Sequence, residues 1–380
     1  MSSCSDLTKD HENLDLTSQT SDTENTSQNN ENSNNNNPLD SAVSKVMETL
    51  TYENCAASFF TTDKYTNLPY NILGTKLETE NQVKQAVEAR SWFTYRNGFS
   101  KIGNSSLTSD AGWGCAVRVG QMLLAEVLNR LKNSDRLVKP DSEILEKFLD
   151  IDDSPFSLQK LVLAFSRDDE TKIGTWLGPN NVCHSIKQLV ENYNTQSTSP
   201  QLQVHVCMDS TVVIPELPSI EKSGPILLFI PLRLGLDTIN SDIYGNYILE
   251  SISYPQSVGI IGGRPRTAYY FFGHSETTKE LLALDPHTVR QHSDSVKEEE
   301  YSCDSPLFIK SVDHLDPTMA LGFLARTQVE LDDLIQRLST SKLCAIMESL
   351  PDTNFDFSGR NLDDLDVDLP DTDDEFEILC

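Results

Sequence analysis

The chain has 380 residues and a formal charge of −28, with the acid gathered at its ends: residues 351–380 carry eleven Asp and Glu against one Arg, and residues 1–46 carry eight against two Lys. Once the −10 and −6 of those ends are taken away, the 304 residues between them keep −12, an ordinary value for a globular body. That body has no basic stripe to neutralise phosphates, which argues against nucleic acid as a partner and against an electrostatic grip on anionic membrane. No apolar run approaches the roughly 20 residues of a membrane helix, and the polar N-terminus shows no charged-then-apolar leader. Eight scattered cysteines without a C-x-x-C pair read as reduced thiols of a cytoplasmic protein, with no disulfide framework, metal or cofactor expected.

Along the chain, the first forty-odd residues are rich in Ser, Thr, Asn and Asp and cannot bury enough apolar surface to offset the entropy of ordering, and the stretch to residue 66 is read with them. They are expected to form a disordered tail, followed by a folded body over 67–350 and an acidic disordered tail over 351–380. Apolar residues at 116, 119, 123, 124, 127, 128 and 131 have helical spacing with one buried stripe. The loop-like residues 109–114 before them place Cys115 at the helix N-terminus. Residues 202–208 read as a strand, and the proline-bracketed run 224–232 as a buried one. Residues 257–261, 262–265 and 267–272 read as strand, turn and strand, and 281–285 as a further strand. A helix first and antiparallel strands later predict an α+β domain.

A thiol attacks as its thiolate, and a helix N-terminus favours that charge through its dipole and free N–H groups. Cys115 stands at such a terminus, behind Gly112 and Gly114, which leave the approach to the sulfur open. A small buried hydrophobe is the other reading of a free cysteine. Asp285 and His287 lie two residues apart near a strand end, so their side chains point to one face. The carboxylate can then orient one ring nitrogen while the other faces a thiol. The alternative is an Asp-Pro turn followed by an exposed histidine, and the chain holds its own control. Leu315-Asp316-Pro317-Thr318 repeats the Leu-Asp-Pro pattern without a histidine. His205 and Cys207 share a face of the 202–208 strand, where a core role fits better. Cys183 and His184 are neighbours, which do not face each other on a helix. The sequence has no G-x-S-x-G elbow, no phosphate loop and no H-E-x-x-H.

Thr108-Ser-Asp-Ala-Gly-Trp-Gly-Cys-Ala-Val-Arg-Val-Gly-Gln-Met-Leu123 resembles the nucleophile segment of the autophagins, papain-like cysteine proteases that process the ubiquitin-like modifier of autophagy. Six further stretches are similar to family blocks and follow in order: those starting at Ser91, Ile173, Met208, Ile230, Pro255 and Leu284, with Leu315 to Phe323 after them. The resemblance spans about residues 70 to 340. It implies a papain-like fold with a smaller auxiliary subdomain, Cys115 as nucleophile, and Asp285 and His287 as its partners. It further implies that Tyr95 stabilises the oxyanion, that Trp176 borders the entrance, and that Gly262, Gly263 and Pro265 form a turn covering it. On the residues alone, Trp176 reads better as a core aromatic and the two glycines as a plain tight turn. The implied reaction is hydrolysis after the modifier's C-terminal glycine, both maturing the precursor and releasing the modifier from phosphatidylethanolamine, with membrane met only through lipidated substrate. A cleft narrowed by Trp176 and the Pro265 turn would suit a chain end without side chains. Val119 stands where some members carry a second cysteine, so the resemblance does not extend that route of redox control to this chain. The terminal Asp373-Asp-Glu-Phe376-Glu-Ile-Leu379-Cys380 resembles a short motif that docks on the modifier by strand addition, with Phe376 and Leu379 in pockets. A non-catalytic modifier-binding protein and another papain-like thiol acyltransferase are the competing readings.

Overall fold

Strands that are apolar on both faces need cover on both faces, and the central sheet of this protein receives it. The computed structural model describes residues 65–167, 169–196, 202–303 and 305–350. Phe376, Leu379 and the tail that carries them lie outside these residues, as do residues 1–64. In chain order the helices are α1 (Glu80–Glu88), α2 (Cys115–Lys132), α3 (Ser142–Glu146), α4 (Leu158–Ser166), α5 (Pro179–Gln196), α6 (Ile220–Ser223), α7 (Ser241–Ser253) and α8 (Gln328–Ser339). The strands are β1 (Tyr70–Ile72), β2 (Thr75–Leu77), β3 (Tyr95–Asn97), β4 (Gln203–Val206), β5 (Thr211–Val213), β6 (Ile226–Arg233), β7 (Ser257–Arg264), β8 (Thr267–Ser275), β9 (Leu281–Leu284), β10 (Val289–Gln291), β11 (Leu307–Ile309), β12 (Thr318–Ala325) and β13 (Ala345–Met347).

The main sheet runs β11-β9-β8-β7-β12-β6-β4, antiparallel except for the β4–β6 pair, with the β1–β2 hairpin attached to the far end of β8. The α+β class expected from the sequence holds. Strand β6 shows the two-sided burial: Leu227 and Phe229 pack with α2 and α5, while Ile226, Leu228, Ile230 and Leu232 pack with α7 and α8. Two smaller pairs, β3 with β10 and β5 with β13, are both parallel.

Helix α2 starts at Cys115, as its spacing predicts, but it is not the one-striped helix expected. All its residues but Leu128, Leu131 and Lys132 are buried, and Leu131, assigned to the stripe, is 37% exposed. The polar residues go inside because each finds a partner. Glu126 pairs with Arg90 and Arg130, Gln121 donates to the Phe156 carbonyl at 2.9 Å, and Asn129 donates to the Val138 carbonyl at 2.7 Å. The turn expected over 262–265 also moves. The β7–β8 ladder continues to Arg264 opposite Thr267, so Gly262 and Gly263 are strand residues and only Pro265 and Arg266 form the turn. Proline sets its own φ, and Arg266 closes the turn at φ 65°.

Helix α2 lies close over the sheet because β12 offers it a glycine. A Cβ on Gly322 would come within 2.9 Å of Leu123 Cδ1 and 3.0 Å of Val258 Cγ2. Gly322→Val should therefore overpack this contact and cost about 1–3 kcal/mol in urea unfolding. Val329→Ala, at a position 76% exposed, should stay within about 0.5 kcal/mol. Equal stability of the two variants would refute this account of the helix–sheet contact.

Candidate active site

The local chain makes Cys115 the first residue of α2 by closing a tight loop behind it. The Asp110 carbonyl accepts from Trp113 N–H at 3.2 Å and from Gly114 N–H at 2.9 Å, and the Gly114 carbonyl then accepts the first helical bond, from Arg118 N–H at 3.0 Å. The sulfur thus sits where the helix leaves N–H groups unpaired.

The partner residues arrive from the place where β9 leaves the sheet. Strand β9 pairs with β8 up to Leu284 opposite Tyr270, and the same register would next bring Pro286 opposite Ala268. Proline has no N–H to give, and its carbonyl turns away to accept from Tyr95 N–H at 3.0 Å. The chain then continues as β10 alongside β3, with Val289 opposite Tyr95. This crossing sets His287 beside Tyr95, and it frees the Ala268 N–H, which bonds to the Cys115 sulfur instead.

Asp285 and His287 meet as their spacing predicts. The Asp285 carboxylate accepts from the His287 backbone N–H at 3.0 Å and pairs with ring Nδ1. The control motif folds the same way: Asp316 accepts from Thr318 N–H at 2.8 Å. The local turn is therefore common to both Asp-Pro segments, and only the imidazole distinguishes them. Trp92 Nε1–H holds the Asp285 carbonyl at 2.7 Å, under the Arg290 guanidinium, 4.6 Å from its ring centroid. The His287 ring stands edge-on between Tyr95 and Tyr269, at centroid distances of 5.4 and 5.8 Å. Beyond Asp285, the ring's other partner is the Cys115 sulfur, which acts on it both as a hydrogen-bond acceptor and through its charge.

The electrostatics favour a thiolate–imidazolium pair. Burial works to raise the Cys115 thiol, but the His287 ring, the Ala268 N–H and the Tyr95 hydroxyl together hold it below its ordinary value. Burial opposes the charge on His287, yet Asp285 and Cys115 raise its pKa to about 9. Burial and the neighbouring sulfur keep Tyr95 well above the usual phenol range, so it remains a proton donor. The competing cysteines differ. Burial alone drives Cys183 upward with no charged partner, and burial pushes Cys207 to about 12. His184 points to solvent while Cys183 faces the core. Among the described residues no cluster of three His, Cys, Asp or Glu side chains could hold a metal.

The remaining sequence candidates fall on the β7–β8 hairpin and in the segment before α5. Arg264, Pro265 and Arg266 are exposed at the hairpin tip, four residues or fewer from the Ala268 N–H that meets the sulfur. Gly262 and Gly263 are buried in β7, and a Cβ on Gly263 would stand 1.9 Å from the Thr267 carbonyl, so both shape the hairpin. Trp176 is 43% exposed, which removes the core-aromatic reading. It precedes α5, whose Val182 packs against Gly120 on α2. Tyr269, Trp92 and the Ala268 N–H were not found from the sequence. Tyr269 lies there in an ordinary strand and Trp92 in a family-like stretch with no role given to it, and a backbone N–H leaves no sequence signal.

A model of the peptidase C54 catalytic domain matches residues 80–337. The chain is similar to cysteine protease ATG4B of Xenopus laevis, 33% identical across 87% of this chain and 98% of the relative. It is also similar to ATG4B of Gallus gallus (32%, over 80% and 87%) and to cysteine protease ATG4A of Mus musculus (34%, over 69% and 76%).

The ion pair predicts a particular reactivity. A thiolate stabilised by His287 should be alkylated by iodoacetamide rapidly near neutrality, slowing as pH falls through the lowered thiol pKa. In His287→Ala only burial and two hydrogen bonds remain, so the inflection should move to higher pH. Alkylation at pH 7 should then fall by at least about tenfold, one pKa unit being tenfold in thiolate. Identical pH profiles for the two proteins would rule out the pair.

Proposed function

This chain belongs to the peptidase C54 family and is a cysteine protease, and we propose that it hydrolyses the bond after the C-terminal glycine of a ubiquitin-like autophagy modifier with Cys115 as nucleophile. The observation that carries the residue assignment is the convergence of His287, Tyr95 and the Ala268 N–H on one sulfur at a helix N-terminus. The thiolate attacks the scissile carbonyl carbon, and a C–S bond forms as the carbonyl electron pair moves to oxygen. Tyr95, held protonated, donates to that oxygen. Collapse breaks the C–N bond, and the proton on His287 Nε2 goes to the leaving amine. Water, giving its proton to the same nitrogen, then cleaves the thioester, and the sulfur leaves as the thiolate, restoring the resting ion pair. Asp285 orients the ring throughout.

The leaving group is an amine in both a peptide-extended precursor and a conjugate with phosphatidylethanolamine, so one mechanism serves maturation and release. The exposed Pro265 turn is proposed to cover the sulfur until substrate lifts it, with Trp176 on the other wall. The Ala268 link between hairpin and sulfur supports that reading. Phe376 and Leu379 are proposed to dock on the modifier away from its scissile end, in the cytoplasm, where the lipidated form is met on a membrane surface.

Incubation with a precursor extended beyond its terminal glycine tests the assignment. Cys115→Ala should abolish cleavage, and Asp285→Ala should reduce it at least about 100-fold through misorientation of the ring. Asp316→Ala, which lacks a histidine neighbour, should retain most activity. A greater loss from Asp316→Ala than from Asp285→Ala would reject the pair. For the tail, Phe376→Ala with Leu379→Ala should raise KM severalfold with kcat within about twofold, since a tethered motif acts as local concentration. An unchanged KM, with unchanged affinity of the isolated tail peptide, would dismiss the motif.

A further inference from the structure

Arg118 is the bulkiest fully buried side chain of the domain, one turn beyond Cys115 on α2. It is held between two buried carboxylates. Its Nε donates to Asp110 Oδ2 at 2.8 Å and its Nη2 to Asp110 Oδ1 at 3.1 Å. On the other side Nη1 and Nη2 donate to Asp150 at 3.0 and 2.8 Å. Burial opposes the guanidinium charge, and the two carboxylates more than offset it, holding Arg118 above its ordinary range.

Asp110 does more than neutralise Arg118. Its Oδ1 accepts from the Arg96 backbone N–H at 2.6 Å, and its own N–H donates to the Arg96 carbonyl at 3.3 Å. It therefore grips both backbone groups of the residue after Tyr95. Its carbonyl holds the N–H of Gly114, the residue before Cys115. The clasp is tight enough to require glycine there, because a Cβ on Gly114 would lie 2.5 Å from Asp110 Oδ2. One aspartate thus joins the strand that carries the phenol to the helix that carries the sulfur, and Arg118 locks it against the first helical turn.

We propose that Asp110, locked by Arg118, is a positioning residue that sets where the Tyr95 hydroxyl stands relative to the Cys115 sulfur. This rests on the oxyanion role of Tyr95 proposed above. Asp110 acts on the reaction through Tyr95 and touches no substrate. Geometry of this kind governs turnover more than capture, because a misplaced donor misses the developing oxyanion while leaving ground-state binding intact.

The test is a double-mutant cycle on the full chain with an extended modifier precursor as substrate, using Tyr95→Phe, Asp110→Asn and the pair. Tyr95→Phe is expected to lower kcat by about 100-fold, the usual cost of one oxyanion donor. Asp110→Asn is expected to lower kcat at least about tenfold with KM within about twofold and the melting transition still cooperative. Added to Tyr95→Phe, it should lower kcat by less than about threefold more. Cys115 alkylation by iodoacetamide needs a thiolate that His287 and the Ala268 N–H hold more strongly than Tyr95 does, and it should stay within about threefold in Asp110→Asn. If Asp110→Asn does not fold, Arg118→Lys, which keeps the buried charge and loses the fork, replaces it in the same cycle with the same expectations. Independent, multiplicative losses in the double variant overturn the positioning role while leaving Tyr95 its own. A Tyr95→Phe enzyme with near-normal kcat overturns the oxyanion role first, and this proposal with it.

Discussion

Proline 286 cannot extend the ladder between β8 and β9, and the site is organised around that missing donor. Where the two strands part, the chain carrying Asp285 and His287 swings from the main sheet to the β3–β10 pair. The Tyr95 backbone accepts the transfer by donating to the Pro286 carbonyl, so the phenol and the imidazole come together through one backbone bond. On the side left behind, the Ala268 N–H would be an unsatisfied buried donor, a cost of about 1–3 kcal/mol. The sulfur of Cys115 fills the gap. A sheet defect, a helix terminus and a thiolate each supply what the others lack.

Charge at this depth needs compensation from several directions. Taking a thiolate out of water is unfavourable, and the helix terminus offers only the equivalent of about half a positive charge. The imidazolium provides the rest and is itself held by Asp285. The hairpin that ends at Pro265 contributes a backbone donor to the sulfur, so any motion that lifts this hairpin also alters the thiolate's surroundings. In the proposed reading, where this hairpin covers the entrance, access and reactivity are coupled through that N–H.

Much of this was legible in the sequence where the determinants are local. The helix start at Cys115 followed from a glycine-bracketed loop and a 3.6-residue spacing, and the Asp285–His287 pair from an i, i+2 spacing. The Asp316 segment shows how far that logic reaches: both Asp-Pro turns form the same backbone clasp, and local pattern alone cannot rank them. What the pattern missed depends on contacts between distant segments. The buried polar side of α2 looked solvent-facing because its partners, Asp110, Asp150, Arg90 and the Phe156 carbonyl, come from other segments. Gly262 and Gly263 read as a turn because glycine marks turns. Their actual requirement is close approach to the returning strand and to Phe271. Tyr269 carries no sign of its role, since a β-strand tyrosine is ordinary until a histidine is set against its edge.

The proposed chemistry asks opposite things of His287 at successive steps. To give its proton to a leaving amine it must be a modest acid, and to take one from water it must be a modest base. Its resting pKa of about 9 suits neither, being raised by both Asp285 and the Cys115 anion. Attack on the carbonyl removes the second of these, because the sulfur loses its charge as the C–S bond forms. Burial, which disfavours the charged ring, then weighs more heavily, and the proton becomes easier to give up just when the amine needs it. Asp285 remains and keeps the neutral ring correctly turned for the incoming water. When the thioester is cleaved the sulfur regains its charge, the ring's pKa rises again, and the proton taken from water stays on it. The nucleophile thus sets the acidity of its own base, and the surrounding residues hold the two close enough for that coupling to operate.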